Sequence, residues 1–210
     1  MINFLKKHKL KIIIILLLIV ITIITTKIVT NKPIFIDVIA HTVFVKKLRS
    51  PFLNPIMKLF TRLSNSEGII IFTVLVFIFI KNKKIAITVP LNVIFATLIN
   101  QLLKHLIKRP RPLGYRLIKI GGYSFPSGHA MVSMAFYGYL LYLVCTSIKE
   151  KKIKIILASI LIFIIIMVGI SRIYLGVHYC SDIITGYSIS IIYLIIYTKL
   201  LKYLKSQNIP

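Results

Sequence analysis

The chain has 210 residues, 58% of them hydrophobic and 15% charged, with a mean hydropathy of +0.91. A soluble domain of that length could not bury so much apolar surface, so composition excludes one and leaves an integral membrane protein. Lysine and arginine number 28 against four acids, a net charge of +24; because these cations flank apolar runs and form no single patch, they fit anionic lipid head groups and not nucleic acid.

Lys6, Lys7, Lys9 and Lys11 precede an apolar stretch at 12–26. No small-x-small cleavage site follows, so this reads as an uncleaved first span and not as a signal peptide. Residues 31–66 form the longest segment that does not span. Phe35, Ile39, Phe44, Val45 and Leu48 predict one or two short amphipathic helices at the membrane interface, with breaks at Pro33, Pro51 and Pro55. Asp37 and His41, one helical turn apart, read there as a local helix pair.

The second span is predicted over 63–80, closed by Lys81, Lys83 and Lys84, and the third over 85–103. Asn92 in the third reads as an interhelical hydrogen bond; Asn100, one turn before Lys104, is placed to orient it. Pro110 and Pro112 end this helix. A glycine-bearing loop leads to Pro126, and the fourth span runs over 128–148. The fifth covers 155–170, and a turn through Gly176 leads into the sixth at 182–201. The expected fold is therefore all-α: six transmembrane helices in one bundle, with short interfacial helices in the first long loop, as a single domain over 1–210. Cys145 lies about 24 Å along the fourth helix from His129, at about 1.5 Å per residue. Cys180 belongs at the helix end beside His178. A disulfide needs Cα atoms within about 7 Å, so both are expected as free thiols.

Orientation is less marked. With both termini on one side, each side holds 14 lysines and arginines. Setting aside Lys104, Arg111 and Arg172 as binding groups, and giving less weight to the long first loop, puts the termini in the cytoplasm. The expectation is a multi-pass protein of the cell membrane with its site on the extracytoplasmic face. Whatever the orientation, Lys104, Arg111, His129, Arg172, His178 and Asp182 fall on one side.

Their chemistry is coherent. Pro126-Ser127-Gly128-His129 stands just before an apolar run, so it opens a membrane helix. The unpaired N–H groups and partial positive charge of a helix start suit a phosphate. Ser127 can cap that start, Gly128 lets an anion approach the backbone, and His129 can deliver a proton. His178 and Asp182 lie one turn apart, so the carboxylate can hold one imidazole nitrogen and leave the other free to attack. Lys104, Arg111 and Arg172 add fixed cations. This is a phosphoryl-transfer site with no evident metal. Lys108, Arg109, Arg116 and Lys119 read as head-group contacts.

Lys104 with Arg111-Pro112, then Pro126 to His129, then Ser171-Arg172 with His178 and Asp182, resemble in order and spacing the three-part signature of the type 2 phosphatidic acid phosphatase (PAP2) superfamily. The resemblance implies a membrane lipid phosphatase with no cofactor. In it His178 is the nucleophile, forming a phosphohistidine, Asp182 orients it, and His129 is the general acid. Lys104, Arg111, Ser127, Gly128 and Arg172 would bind the phosphate. The implied substrate is a lipid phosphate or diphosphate, such as undecaprenyl diphosphate, phosphatidylglycerophosphate or phosphatidate. A carrier that binds lipid phosphate or phosphate without chemistry is the rival; it needs the cations but no oriented nucleophile.

Overall fold

Isoleucine-rich runs too apolar for water become helices here, and their unbroken length sets the architecture. The computed structural model describes residues 2–207, so Met1 and residues 208–210 of the expected domain lie outside the described residues. In chain order the helices are α1 (Ile2–Val29), α2 (Phe35–Ala40), continuing as a π-helical segment (His41–Lys47), α3 (Leu53–Arg62) and α4 (Ser66–Phe79). Then follow α5 (Lys83–Ile107), α6 (Gly128–Ser147), α7 (Lys151–Tyr174) and α8 (Cys180–Ser206), with no strand among the described residues. Among the described residues, five helices are long and apolar enough to cross a membrane: α1 from His8 onward, α5, α6, α7 and α8.

The second span departs from the single helix expected over 63–80. α4 has 14 residues, about 21 Å at 1.5 Å per residue, short of a hydrocarbon core about 30 Å thick. It joins α3 at a bend of 57°, and only the pair together has spanning length. Contacts with α6 hold the break. Tyr137 Oη donates to Leu63 O at 2.7 Å, occupying a carbonyl that a continuous helix would use internally. Ser64 Oγ donates to His129 O at 3.1 Å, and Asn65 turns to extended backbone.

Other expected boundaries move for local reasons. Pro55 does not break the chain; it lies in the first turn of α3, where its missing N–H costs no helical bond. α5 reaches Ile107, so Lys104 stands in its last turn, and Lys108 closes it in the left-handed conformation, φ 51°. α7 runs to Tyr174, which places Ser171 and Arg172 within the helix.

α6 lies at the centre, packed on α5, α7 and α8. Val89, Phe136, Tyr139, Ile165 and Tyr197 form its buried apolar surroundings. Polar groups tie the helices together at depth: Asn92 Nδ2 donates to Ala135 O at 2.5 Å, as expected, and Ser190 Oγ donates to Met131 O at 3.1 Å. Gly186 matters for the site, because a Cβ there would stand 3.1 Å from both Ser127 O and Ala130 Cβ. Its absence lets the start of α6 settle against α8. Both cysteines are free, as expected: Cys145 is exposed and Cys180 half-buried.

Candidate active site

Four helix ends and one loop meet on one side of the bundle. The last turn of α5 brings Lys104, the first turn of α6 brings Ser127 to His129, the last turn of α7 brings Arg172, and the first turn of α8 brings Asp182. Gly176, at φ 72°, turns the chain between α7 and α8 so that His178 folds back over its own helix start. Every site residue expected from the sequence is therefore in one cluster. Most of it is buried: Arg172 is 1% exposed, His178 3% and Asp182 0%.

The histidine–carboxylate pair is specific. Asp182 Oδ2 lies 3.2 Å from His178 Nδ1 and also accepts from the Tyr179 N–H at 3.0 Å and from the Ser124 hydroxyl. On the far side of the ring, Arg111 Nη1 donates to His178 Nε2 at 2.9 Å. A guanidinium cannot accept a hydrogen bond, so Nε2 carries the lone pair and Nδ1 the proton. Burial, and then the charges of Arg172 and Arg111, push the His178 imidazolium down to about 3 against the upward pull of Asp182. The ring is neutral at neutral pH, with its basic nitrogen aimed at cations.

Those cations are held by backbone. Arg111 Nε donates to Gly121 O and Gly122 O, at 3.1 and 3.0 Å, and Nη1 also reaches Val177 O at 3.0 Å. Lys104 Nζ donates to Tyr123 O at 2.5 Å. Ser127 caps α6 by accepting from Ala130 N at 3.4 Å. Arg172 differs. Its Nη1 donates to Thr61 Oγ1 at 2.5 Å, while Nε and Nη2, both buried, have no hydrogen-bond partner. A buried guanidinium with two idle donors is costly unless something anionic takes them.

Three readings are corrected by the geometry. Arg109 is no head-group contact: it donates to Asp182 Oδ1 at 2.6 Å and to Asp37 Oδ2 at 2.9 Å. Asp37 is no local partner of His41; its oxygens accept from Ser181 N and Ser181 Oγ, each at 2.7 Å, because α2 lies across the start of α8. Asn100 does not orient Lys104. Its Nδ2 donates to Pro126 O at 3.1 Å and so holds the corner before α6. His129, at the start of α6, has its Nε2 2.6 Å from Asn65 Oδ1. A cavity of about 370 Å³ reaches His178 from the side of Asp37, His41 and Tyr115.

Ser124, Thr61, Asn65, Asp37 and Arg109 were not expected as site residues. One signal was available: Asp37 is one of only four acids in the chain. Thr61 and Asn65 carry no comparable mark.

A bundle of helices long enough to span a membrane, with buried cations around a carboxylate-held histidine at one end, defines a multi-pass membrane protein whose site suits an anion. The chain belongs to the PAP2 superfamily, which it matches over residues 85–206. It is 32% identical over 155 residues to phosphatidylglycerophosphatase B of Bacillus subtilis (strain 168), covering 69% of this chain and 73% of that protein. It is 30% identical over 141 residues to an undecaprenyl-diphosphatase of Sulfolobus acidocaldarius, covering 64% of each. Among solved structures, it is similar to the first transmembrane PAP2 type phosphatidylglycerolphosphate phosphatase from Bacillus subtilis, with a TM-score of 0.78 at 28% identity. That likeness covers 94% of this chain and 98% of the other. Aquifex aeolicus LpxE gives a TM-score of 0.63 at 25% identity over 77% of this chain and 94% of its own.

Proposed function

We propose that this protein, acting as one domain, hydrolyses the terminal phosphate of a lipid phosphate or diphosphate without a metal ion. The observation that carries the reading is Arg172, whose two buried donors lack partners close enough to His178 and His129 for its charge to act on both rings. A phosphoryl group supplies the missing acceptors. Lys104, Arg111, the Ser127 hydroxyl and the Gly128 N–H complete its surroundings, and positioning with charge stabilisation is most of what phosphoryl transfer asks of a protein.

The sequence of bonds follows from the tautomer. Phosphate oxygens draw Arg111 away from His178 Nε2, which then attacks phosphorus. The bond from phosphorus to the lipid oxygen breaks, and His129 gives that oxygen its proton. Water then attacks phosphorus, with neutral His129 taking its proton; the phosphorus–nitrogen bond breaks, its electron pair returns to His178 Nε2, and phosphate leaves. Asp182 stabilises the charge that develops on His178 and fixes its tautomer. Metal independence is supported by the donor set. Asp182 and Asp37 are both engaged by Arg109 and by N–H or hydroxyl donors, and among the described residues no cluster of three ligating side chains forms. The His178 ring, oriented through Nδ1 with Nε2 left as the nucleophile, also favours hydrolysis over carriage. We place the site on the extracytoplasmic face and both termini in the cytoplasm.

Purified protein in detergent, given phosphatidylglycerophosphate, undecaprenyl diphosphate and phosphatidate with EDTA present, is expected to release inorganic phosphate from at least one and to trap ³²P on His178. Binding without release points to the carrier; rescue only by added Mg²⁺ or Zn²⁺ points to a metal enzyme. A membrane-impermeant thiol reagent should reach Cys180 in intact cells. Labelling confined to opened cells reverses the orientation.

A further inference from the structure

Arg109 stands between Lys104 and Arg111 without being one of the signature residues, yet its surroundings are built. The left-handed Lys108 turns the chain out of α5, so that Arg109 folds over the Tyr179 ring with its guanidinium carbon 3.9 Å from the centroid. One edge donates to Asp182 Oδ1 at 2.6 Å and Ser181 Oγ at 2.8 Å. The other donates to Asp37 Oδ2 at 2.9 Å. Its own carbonyl accepts from Ser124 N at 2.8 Å, and the Ser124 hydroxyl donates to the second oxygen of Asp182. Backbone and side chain of one residue thus grip both oxygens of the same carboxylate, one directly and one through Ser124. The site as described needs Asp182 to hold His178; it has no use for a cation shared with Asp37.

We propose that Arg109 is a positioning residue: divided between Asp182 and Asp37, it fixes the carboxylate that holds His178 and sets how much of its charge reaches the ring. The proposal rests on the phosphatase reading above for its consequence in catalysis, but not for its electrostatics. Asp182 has one negative charge to share. Every part of it spent on Arg109 weakens its hold on His178 Nδ1–H, and every part of Arg109 spent on Asp37 gives some of that hold back. The two neighbours therefore push in opposite directions. Removing Arg109 leaves Asp182 to His178 and strengthens that hydrogen bond. Neutralising Asp37 leaves all of Arg109 to Asp182 and weakens it. A residue serving only to brace α2 against α8 would give losses of the same sign from either end.

The other charged groups that act on His178 or on its carboxylate come from separate elements and stay the same in both variants. They are Lys104 from α5, Arg111 from the loop after it, His129 from α6 and Arg172 from α7. The difference between the variants therefore isolates the shared guanidinium.

The decisive measurement is the His178 Nδ1 proton resonance in full-length ¹⁵N-histidine-labelled protein in detergent, since a stronger hydrogen bond moves it downfield. R109Q should move it downfield and D37N upfield, with R109K between wild type and R109Q, because an ammonium lacks the planar fork that spans both carboxylates. Alongside, kcat on the best lipid phosphate should fall about tenfold in R109Q with KM nearly unchanged, as for a group acting on the chemical step. Shifts of the same sign, or none, overturn the assignment whether or not the wild type turns substrate over. Opposed shifts in a protein that releases no phosphate from any lipid sustain Arg109 and sink the phosphatase reading. If R109Q does not accumulate in membranes, D37N decides alone: an unmoved or downfield resonance refutes the proposal.

Discussion

Two regions of this molecule build one site by different rules. Residues 85–206, which match the family, provide the charged and proton-carrying groups: Lys104, Arg111, His129, Arg172, His178 and Asp182. Residues 35–66 provide what those groups rest against. Asp37 accepts from Arg109 and Ser181, Thr61 from Arg172, and Asn65 pairs with His129, while Ser64 holds the His129 carbonyl. The first region carries chemistry in residue types; the second carries position in contacts. Substitutions that separate them should differ in both size and kind, and the bond to the lipid oxygen is where the difference can be read.

The largest effect belongs to the first region. His178→Ala should abolish turnover of a lipid monophosphate and of p-nitrophenyl phosphate alike, by about 10⁴-fold or more, because neither can then form the phosphoenzyme. Single-turnover release of lipid alcohol and of p-nitrophenolate measures this. Substantial residual release of either would remove His178 from the nucleophile's place.

His129→Ala should be smaller and selective. A lipid alkoxide leaves poorly without a proton, whereas p-nitrophenolate leaves well. The lipid reaction should slow by about 10² to 10⁴-fold, the usual range for general acid catalysis, while aryl phosphorylation keeps most of its rate. Equal losses on both substrates, in a folded variant, would make His129 a phosphate binder and would blur the distinction between the two regions.

A third effect concerns stability and isolates burial. His178 has an ordinary value of 6.5 and is pushed down to about 3 in the fold, first by burial. As pH falls below 6.5 the unfolded chain takes up a proton that the folded one refuses until about 3. Stability is therefore lost on acidification through that window, by up to about 1.4 kcal/mol per pH unit. Thermal unfolding in detergent should show the wild type losing more than His178→Gln between pH 7 and 5. Parallel losses would mean that the ring is not held neutral.

The sequence announced the first region and was nearly silent on the second for a physical reason. His178 and Asp182 are one helical turn apart, so their pairing is a short-range fact that spacing alone reveals. The helix start at Ser127 is likewise local: a capping residue before an apolar run. By contrast, Thr61 meets Arg172 across 111 residues, Asn65 meets His129 across 64, and Asp37 meets Ser181 across 144. Such pairs depend on how helices cross, and no periodicity encodes that. The bend between α3 and α4 was hidden for the same reason. Residues 63–80 are apolar enough for a continuous span, and the contacts that hold the break, Tyr137 on the Leu63 carbonyl and Ser64 on the His129 carbonyl, are made with another helix. Arg109 was misassigned because a lysine- and arginine-rich loop beside a membrane has an ordinary explanation in head groups, and nothing local marks the one residue that turns inward to Asp182 and Asp37.

The smallest effect is the most discriminating. Asn65 opens α4 without a capping hydrogen bond from its side chain, so replacing that side chain removes little from the helix itself. What it does remove is the acceptor 2.6 Å from His129 Nε2, which fixes where the ring points. A lost hydrogen bond to a group that carries charge during catalysis is worth about 1.5–3 kcal/mol when fully expressed. Water entering beside the ring will replace part of that, leaving about a tenfold loss or less in Asn65→Ala. The size alone would not distinguish orientation of His129 from a general loosening of the α3–α4 bend. The leaving group does. If Asn65 acts through His129, its loss must fall on the lipid substrate and spare the p-nitrophenyl substrate, in the same sense as His129→Ala. It must also vanish in the His129→Ala background, because no acid then remains to orient. A loss shared equally by both substrates, or one that adds in full to His129→Ala, would make residues 35–66 a brace for the bundle and not a support for the acid.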